Sequence, residues 1–365
     1  MTNAATKAGT QPGTQGRDSG ALLQIRNLER RFDVDAGFLE SLKFKGGRIV
    51  RDTRAVHAVN DISFDVHKGE AVCVVGESGC GKSTVARMVA SLLPPTAGSI
   101  HYEGQRIDTL KGRALLPIRN KIQMVFQNPY ASLNPRMTIG QILEEPTRYH
   151  NRGVSTGEIR DKVTQVMQSV GVDPNWAARY PHELSGGQRQ RIAIARALTV
   201  DPQFIVADEP ISALDVSIQA QVLNLMLEMQ EQHGITYLFI THDLSVVEHF
   251  GTRVVVLYLG SICEVADTRT LFAAPKHPYT KALLSAVPQL KDDRPNHIRL
   301  KGEIPTPIDL PSGCPFQTRC PQANDRCRAE KPRGVTQPDG SLVACHAVEE
   351  GRTEPGVESG MKEAV

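Results

Sequence analysis

No apolar run in the 365-residue chain approaches the length of a bilayer span, and no charged-then-apolar export signal opens it. These two absences argue against a membrane-embedded protein and lead us to expect residence in the cytoplasm, with any membrane role exercised through a partner. An excess of one charge is also missing. Forty-two Lys and Arg face 40 Asp and Glu, a net charge of +2, so bulk electrostatics give no reason to expect nucleic acid as a partner. There is no sustained heptad pattern to build a long coiled coil. The seven cysteines contain no C-x2–4-C pair of the kind that structural zinc favours. The base-reading N-K-x-D motif of GTPases fails at Asn120-Lys121-Ile122-Gln123, which lacks the Asp. What is present, 40% hydrophobic and 22% charged residues, describes a globular chain with an adequate core and room for two or three compact units.

The most informative stretch is Gly76-Glu77-Ser78-Gly79-Cys80-Gly81-Lys82-Ser83-Thr84. It follows the apolar run Ala71–Val75, which reads as a buried strand, and precedes Val85–Leu93, which reads as a helix ended by Pro94 and Pro95. This is the G-x-x-x-x-G-K-S phosphate loop in its strand–loop–helix setting. Glycines let the backbone curl so that several N–H groups converge on one phosphate, and a helix N-terminus adds partial positive charge at the same point. Lys82 offers a mobile full charge to the β- and γ-phosphates, and the Ser83 hydroxyl a ligand to Mg²⁺. The plainer alternative, a glycine-rich turn before a structural helix, leaves the Lys-Ser pair unexplained.

In chain order, residues 1–20 are Thr-, Gly- and Gln-rich without periodicity and are expected to be a disordered tail. Short strands are expected from Ala21 to Val66, interrupted by a basic insertion from Phe38 to Arg54. Further core strands are Ile122–Phe126, Phe204–Ala207, Tyr237–Ile240 and Val254–Leu257, each a short continuous apolar run suited to a sheet covered on both faces. Ile159, Val163, Val166, Met167 and Val170 share one helical face, opened by Ser155 and Glu158 and closed by Gly171. Ile218, Val222, Leu225, Met226 and Met229 do the same between Asp215 and Gly234. Strands alternating with helices imply an α/β fold around a parallel core sheet, with a helical insert over about residues 130–184.

Two further devices suit a nucleoside triphosphate. The strand Phe204–Ala207 runs into Asp208-Glu209; beside a phosphate loop, Asp208 can hold Mg²⁺ and Glu209 can orient or deprotonate an attacking water. Leu184-Ser185-Gly186-Gly187-Gln188 opens a second helix, a second anion-binding N-terminus. One nucleotide cannot easily use both helix ends from the same side, so the economical solution is a dimer in which each phosphate loop faces the other subunit's Ser-Gly-Gly turn.

Together these motifs resemble the nucleotide-binding subunit of an ATP-binding cassette (ABC) transporter. Over residues 21 to about 270 they match in order: the Walker A loop Gly76–Thr84, Gln127 of the Q-loop, the signature Leu184–Gln188, Walker B ending in Asp208-Glu209, Ser212-Ala213-Leu214-Asp215 of the D-loop, and His242 after Phe239-Ile240-Thr241. The resemblance implies an ABC cassette of parallel core sheet, antiparallel β subdomain and helical subdomain, binding ATP and Mg²⁺. It implies that Gln127 senses the γ-phosphate and Mg²⁺, that Ser185 and Gly187 cap the nucleotide of the opposite subunit, that Asp215 couples the two sites and that His242 holds the γ-phosphate. The family stacks adenine on an aromatic ring near the first turn, for which Phe32 and His57 are the candidates.

The segment Pro275–Leu284, with Gly302-Glu303-Ile304-Pro305, Cys314-Pro315-Phe316 and the run Gln127–Arg136, resembles the oligopeptide and dipeptide (sometimes nickel) importer ATPases, and most closely the second of the two that such systems carry. The expected extension spans 271–347 and is small and irregular, with a disordered tail at 348–365. Family membership would supply a related ATPase as heterodimer partner, two membrane permeases, an extracytoplasmic peptide-binding protein acting indirectly, and a place at the cytoplasmic face of the cell membrane. Cys73, Cys80 and Cys263 read as packing residues. Cys314, Cys320, Cys327 and Cys345 lie within 32 residues at intervals of five, six and seventeen. In the cytoplasm this favours a metal site over disulfides; a [4Fe–4S] cluster suits the wide spacing, with zinc and free thiols as alternatives. A soluble ABC ATPase acting on ribosomes or DNA, and an ATP-binding module without hydrolysis, are the rival functions.

Overall fold

The computed structural model describes residues 20–34, 42–45, 48–51, 54–150, 153–287 and 298–352. The proposed N-terminal tail to residue 19, residues 38–41, 46–47 and 52–53 of the 38–54 insertion, and residues 353–365 lie outside the described residues.

Among the described residues fourteen strands, numbered in chain order, form three sheets. β1 (Leu23–Val34) and β4 (Arg54–Val66) are two long antiparallel strands rather than several short ones. They pair with β6 (Ala97–Tyr102) and β7 (Gln105–Arg106) in a four-stranded sheet of order β4-β1-β6-β7. Between them β2 (Leu42–Lys45) and β3 (Arg48–Arg51) make a separate hairpin. The central sheet runs β13-β14-β12-β11-β5-β10-β9-β8. Its members are β5 (Ala71–Val75), β8 (Ile122–Val125), β9 (Phe204–Asp208), β10 (Thr236–Ile240), β11 (Arg253–Tyr258), β12 (Ser261–Asp267), β13 (Val335–Thr336) and β14 (Leu342–Val343). The five from β8 to β11 are parallel, and β12 and β14 join antiparallel. The extension is therefore not merely irregular: β13 and β14 lengthen the central sheet. The described chain also continues past residue 347 in a helix, His346–Glu349.

The apolar runs are continuous because both faces of the sheet are covered. Along β5, Ala71, Cys73 and Val75 enter a core shared with the helical region and the extension, while Val72 and Val74 enter one shared with β1, β4 and the phosphate-loop helix. Ile205 and Ala207 of β9 follow the first set, Phe204 and Val206 the second. Each Val, Ile or Phe among them contributes roughly 1.5–3 kcal/mol when fully buried. The helix Thr156–Ser169 has the reciprocal Ser155–Glu158 capping box that its sequence suggests, and Gly171 follows it in a left-handed conformation. Val216–His233 is closed by Gly234 at φ 65°. From residue 126 to 203 the described residues carry helices and turns and no strand. The helix after the phosphate loop is Lys82–Val89 rather than Val85–Leu93. It starts early because Gly81 takes up a left-handed φ of 102°, and it stops because Ser91 does so at 53°, which leaves Leu92 half exposed.

Candidate nucleotide site

Parallel register brings the chemistry to one edge. Val256 is opposite Val75, Ile240 opposite Asp208, and Val125 opposite Ala207. The residues that follow β5, β8, β9 and β10 therefore emerge together at the carboxyl ends of the strands, where open α/β sheets bind ligands. A cleft of about 520 Å³ lies there, lined by Val56, Ala58, Ser78, Gly79, Gly81–Thr84, Gln127, Glu209, His242 and Pro307.

Two glycines are there for close approach. A Cβ on Gly81 would sit 2.1 Å from the Ala58 carbonyl oxygen, and one on Gly76 2.2 Å from the Leu257 carbonyl oxygen. Buried Lys82 turns its Nζ onto the carbonyls of Gly76 (2.8 Å) and Glu77 (2.9 Å). The Ser83 hydroxyl donates to Asp208 Oδ1 at 2.8 Å. Burial pushes the Asp208 carboxyl pKa up, against the Ser83 hydrogen bond and the charge of Arg87. A hydroxyl and a carboxylate side by side are the hard oxygen donors that Mg²⁺ takes together with phosphate oxygens. Gln127 Nε2 donates to Glu209 Oε2 at 2.9 Å, and His242 Nδ1 lies 3.5 Å from the same oxygen. Glu209 sits at φ 46°, a left-handed conformation unusual for a non-glycine residue.

Other expected site residues stand apart. Ser185, Gly186, Gly187, Gln188 and Asp215 do not line the cleft. Ser185 caps the helix Gly186–Leu198 in a reciprocal box with Gln188, and Gly187 presses on Ile218 so closely that a Cβ would lie 2.5 Å from Cγ2. Asp215 starts the helix Val216–His233 without a side-chain cap bond. Tyr130, after Gln127, lies 3.9 Å over the Arg189 guanidinium and so joins the Q-loop segment to the signature helix.

Neither aromatic proposed for adenine lines the cleft. Phe32 faces the Arg30 guanidinium at 4.5 Å, and His57 uses its backbone N–H on the Pro307 carbonyl at 2.8 Å. Val56, Ala58 and Pro307 form that wall instead. Pro307 was missed, although it follows the Gly302-Glu303-Ile304-Pro305 segment that the sequence singles out. Among the described residues no group of three or more His, Cys, Asp or Glu is arranged to hold a metal ion, so the expected four-cysteine ligand set does not close. Cys314, Cys320, Cys327 and Cys345 are free thiols. Burial pushes Cys314 up to about 12 and Cys320 to about 11. Cys73, Cys80 and Cys263 are buried, as packing residues should be.

A phosphate loop, a Walker B carboxylate pair and a separate signature turn on this sheet define an ATP-binding cassette ATPase of the ABC class. The ABC transporter family model matches residues 59–212, and the model for the oligopeptide/dipeptide transporter C-terminal region matches residues 263–327. A probable peptide ABC transporter ATP-binding protein of Sinorhizobium fredii is 49% identical, over 90% of each chain. The dipeptide transport ATP-binding protein DppF of Escherichia coli is 46% identical, over 90% of this chain and 95% of its own. A cassette solved as a dimer in a post-hydrolysis state with ADP and Pi superposes with a TM-score of 0.59 at 29% identity, covering 68% of this chain and 99% of that one. The chain belongs to the family of oligopeptide and dipeptide ABC transporter ATP-binding proteins.

Proposed function

We propose that this ATPase powers import of oligopeptides or dipeptides through two membrane permeases at the cytoplasmic face of the membrane, paired with a related ATPase. The observation that carries the reading is the single cleft that brings Lys82, Ser83, Gln127, Glu209 and His242 together beside an extension matching the peptide-transporter family. The names of the relatives support the cargo class. Among the described residues no helix is long and apolar enough to cross a membrane, which is compatible with peripheral attachment through partners.

ATP would draw Lys82 Nζ from the Gly76 and Glu77 carbonyls to its β- and γ-phosphates. The loop amides from Gly76 to Thr84 would cradle those phosphates. Ser83 and Asp208, with Gln127, would hold Mg²⁺, which supplies charge neutralisation on the phosphate oxygens. Glu209 would accept the proton of the attacking water, and His242 and Gln127 would keep that carboxylate and the γ-phosphate in place. Ser185, Gly186, Gly187 and Gln188 lie outside the cleft of their own chain and are assigned to the nucleotide of the partner ATPase, with Asp215 at the subunit contact.

For the extension cysteines, we infer that a [4Fe–4S] cluster, with zinc as the second reading, would require Cys314, Cys320, Cys327 and Cys345 to draw together from an arrangement that holds no metal-binding group among the described residues. Burial raises the Cys314, Cys320 and Cys345 thiols, whereas Arg352 donates to Cys327 Sγ at 3.7 Å. Donors of this kind stabilise thiolates. Anaerobic purification with iron, sulfide and zinc assays tests it; a colourless, metal-free protein with four titratable thiols ends both readings. For the transport function, the test is co-expression with the permeases, reconstitution, and uptake of defined di- and oligopeptides driven by ATP. Uptake that continues with the Glu209→Gln variant would sink the assignment.

A further inference from the structure

The second residue of the phosphate loop, Glu77, places a carboxylate in a loop built to gather N–H groups around an anion. Left uncompensated, a unit negative charge in this loop would oppose ATP binding; at an effective dielectric of about 20, two like unit charges even about 10 Å apart repel by an amount worth roughly tenfold in affinity. The structure supplies the compensation from 242 residues away. Arg319 in the extension makes a two-pronged pair with Glu77, Nη1 to Oε2 at 2.6 Å and Nη2 to Oε1 at 3.0 Å. The Arg319 side chain is 9% exposed. This fork geometry is specific to arginine, and partial burial strengthens it relative to a surface pair.

The backbone of Glu77 is held as well. Its N–H donates to the Tyr279 hydroxyl at 3.0 Å, and its carbonyl accepts from Lys82 Nζ. Tyr279 is fully buried and packs edge-on against Tyr258 and near Phe316, with ring centroids 4.8 and 5.4 Å apart. Arg319 itself follows Phe316 in a turn, its N–H bonded to the Phe316 carbonyl. A second cleft lies between Glu77–Cys80 and Ile304–Pro307, and Pro307 is the extension residue that reaches the nucleotide cleft. The extension therefore touches both the side chain and the backbone of the same Walker A residue.

We propose that Arg319 is a positioning residue of the ATP site: it neutralises Glu77 and fixes the Walker A loop, so that the extension is a working part of nucleotide binding. The inference rests on the cleft being the MgATP site. A purely structural clamp would make a different prediction, since its loss would lower stability without distinguishing ATP from ADP or depending on the charge at residue 77.

The test uses the full chain and compares parent, Arg319→Met, Arg319→Lys, Glu77→Gln and the Glu77→Gln/Arg319→Met double variant. Equilibrium binding of MgATP and MgADP, steady-state KM and kcat, and melting curves are measured for each. Arg319→Met should bind ATP about tenfold more weakly, with a smaller loss for ADP, whose charge is lower, and with KM rising far more than kcat falls. The double variant should recover to within about threefold of the parent, Glu77→Gln should bind ATP at least as tightly as the parent, and Arg319→Lys should fall between. If Arg319→Met does not fold, the double variant, which leaves no charge unpaired, and Glu77→Gln still give the decisive comparison. ATP affinity within twofold of the parent in folded Arg319→Met, a double variant as weak as the single one, or weaker ATP binding by Glu77→Gln would each overturn the proposal. A parent chain that binds no MgATP would take down the site assignment along with it.

Discussion

Glu209 combines a proposed catalytic carboxylate with an unfavourable backbone, and the two can be separated by substitution. At φ 46° its Cβ incurs the left-handed penalty of roughly 1–2 kcal/mol that L-residues other than Asn, Asp and Gly carry. The conformation is held by its N–H bond to the Ile240 carbonyl (3.0 Å) and by the Gln127 and His242 contacts to its carboxylate. It turns the chain at the end of β9 so that the side chain faces the cleft. Glu209→Gln keeps the length and the strain and removes the charge. Glu209→Asn also removes the charge and suits the left-handed conformation. Both should lose about 10²–10⁴-fold in turnover, the usual contribution of a positioned general base, while MgATP binding is retained. Glu209→Asn should be more stable than Glu209→Gln by about 1 kcal/mol, a rise of about 2 °C in Tm. Phosphate release, equilibrium ATP binding and thermal melts measure all three quantities. Turnover within tenfold of the parent in either variant would remove Glu209 from its role, and equal melting of the two would show that the backbone stores no strain there.

Gly81→Ala should abolish ATP binding, because its Cβ would meet the Ala58 carbonyl oxygen at 2.1 Å and its φ of 102° excludes other residues; a titration with MgATP checks it. Ser185→Ala should cost about 1 kcal/mol of stability through loss of the cap, and should lower hydrolysis in the assembled ATPase pair while leaving ATP binding to the isolated chain unchanged, as equilibrium binding and phosphate release would show. His277 is buried, accepts the Tyr279 N–H on Nδ1, and has its pKa lowered by burial to about 3. Between about pH 6.5 and that value the unfolded chain binds the extra proton, so stability is complete above about 6.5 and falls as pH drops, by about 1.4 kcal/mol per unit. His277→Asn, which keeps a cap acceptor, should flatten this part of a urea-denaturation pH profile; an unchanged slope would refute it.

Much of the site was legible from local pattern alone. The phosphate loop, Asp208-Glu209 and His242 each follow a continuous apolar run, and the parallel sheet places the ends of those runs side by side. Helix limits were readable where the residue type itself signals the cap, Ser155 by its side chain and Gly234 by its freedom to turn left-handed, and missed at Gly81, one of several loop glycines, and at Ser91, a residue type that does not advertise a left-handed angle. The phenylalanine and histidine offered for adenine do not line the cleft: Phe32 faces Arg30 on its own strand, and His57 bonds Pro307 through its backbone N–H.

By itself the sequence determined the class of chemistry, because phosphate binding by backbone amides needs particular residues at fixed short spacing, and such spacing is written along the chain. Only the tertiary structure decided what completes the site. The Arg319–Glu77 pair, Pro307 in the cleft and the addition of β13 and β14 to the central sheet join residues far apart in the chain, through packing that no local pattern encodes. The same separation in space keeps the four extension cysteines from being read as a closed ligand set from their intervals, since distance along the chain does not set the distance between sulfur atoms.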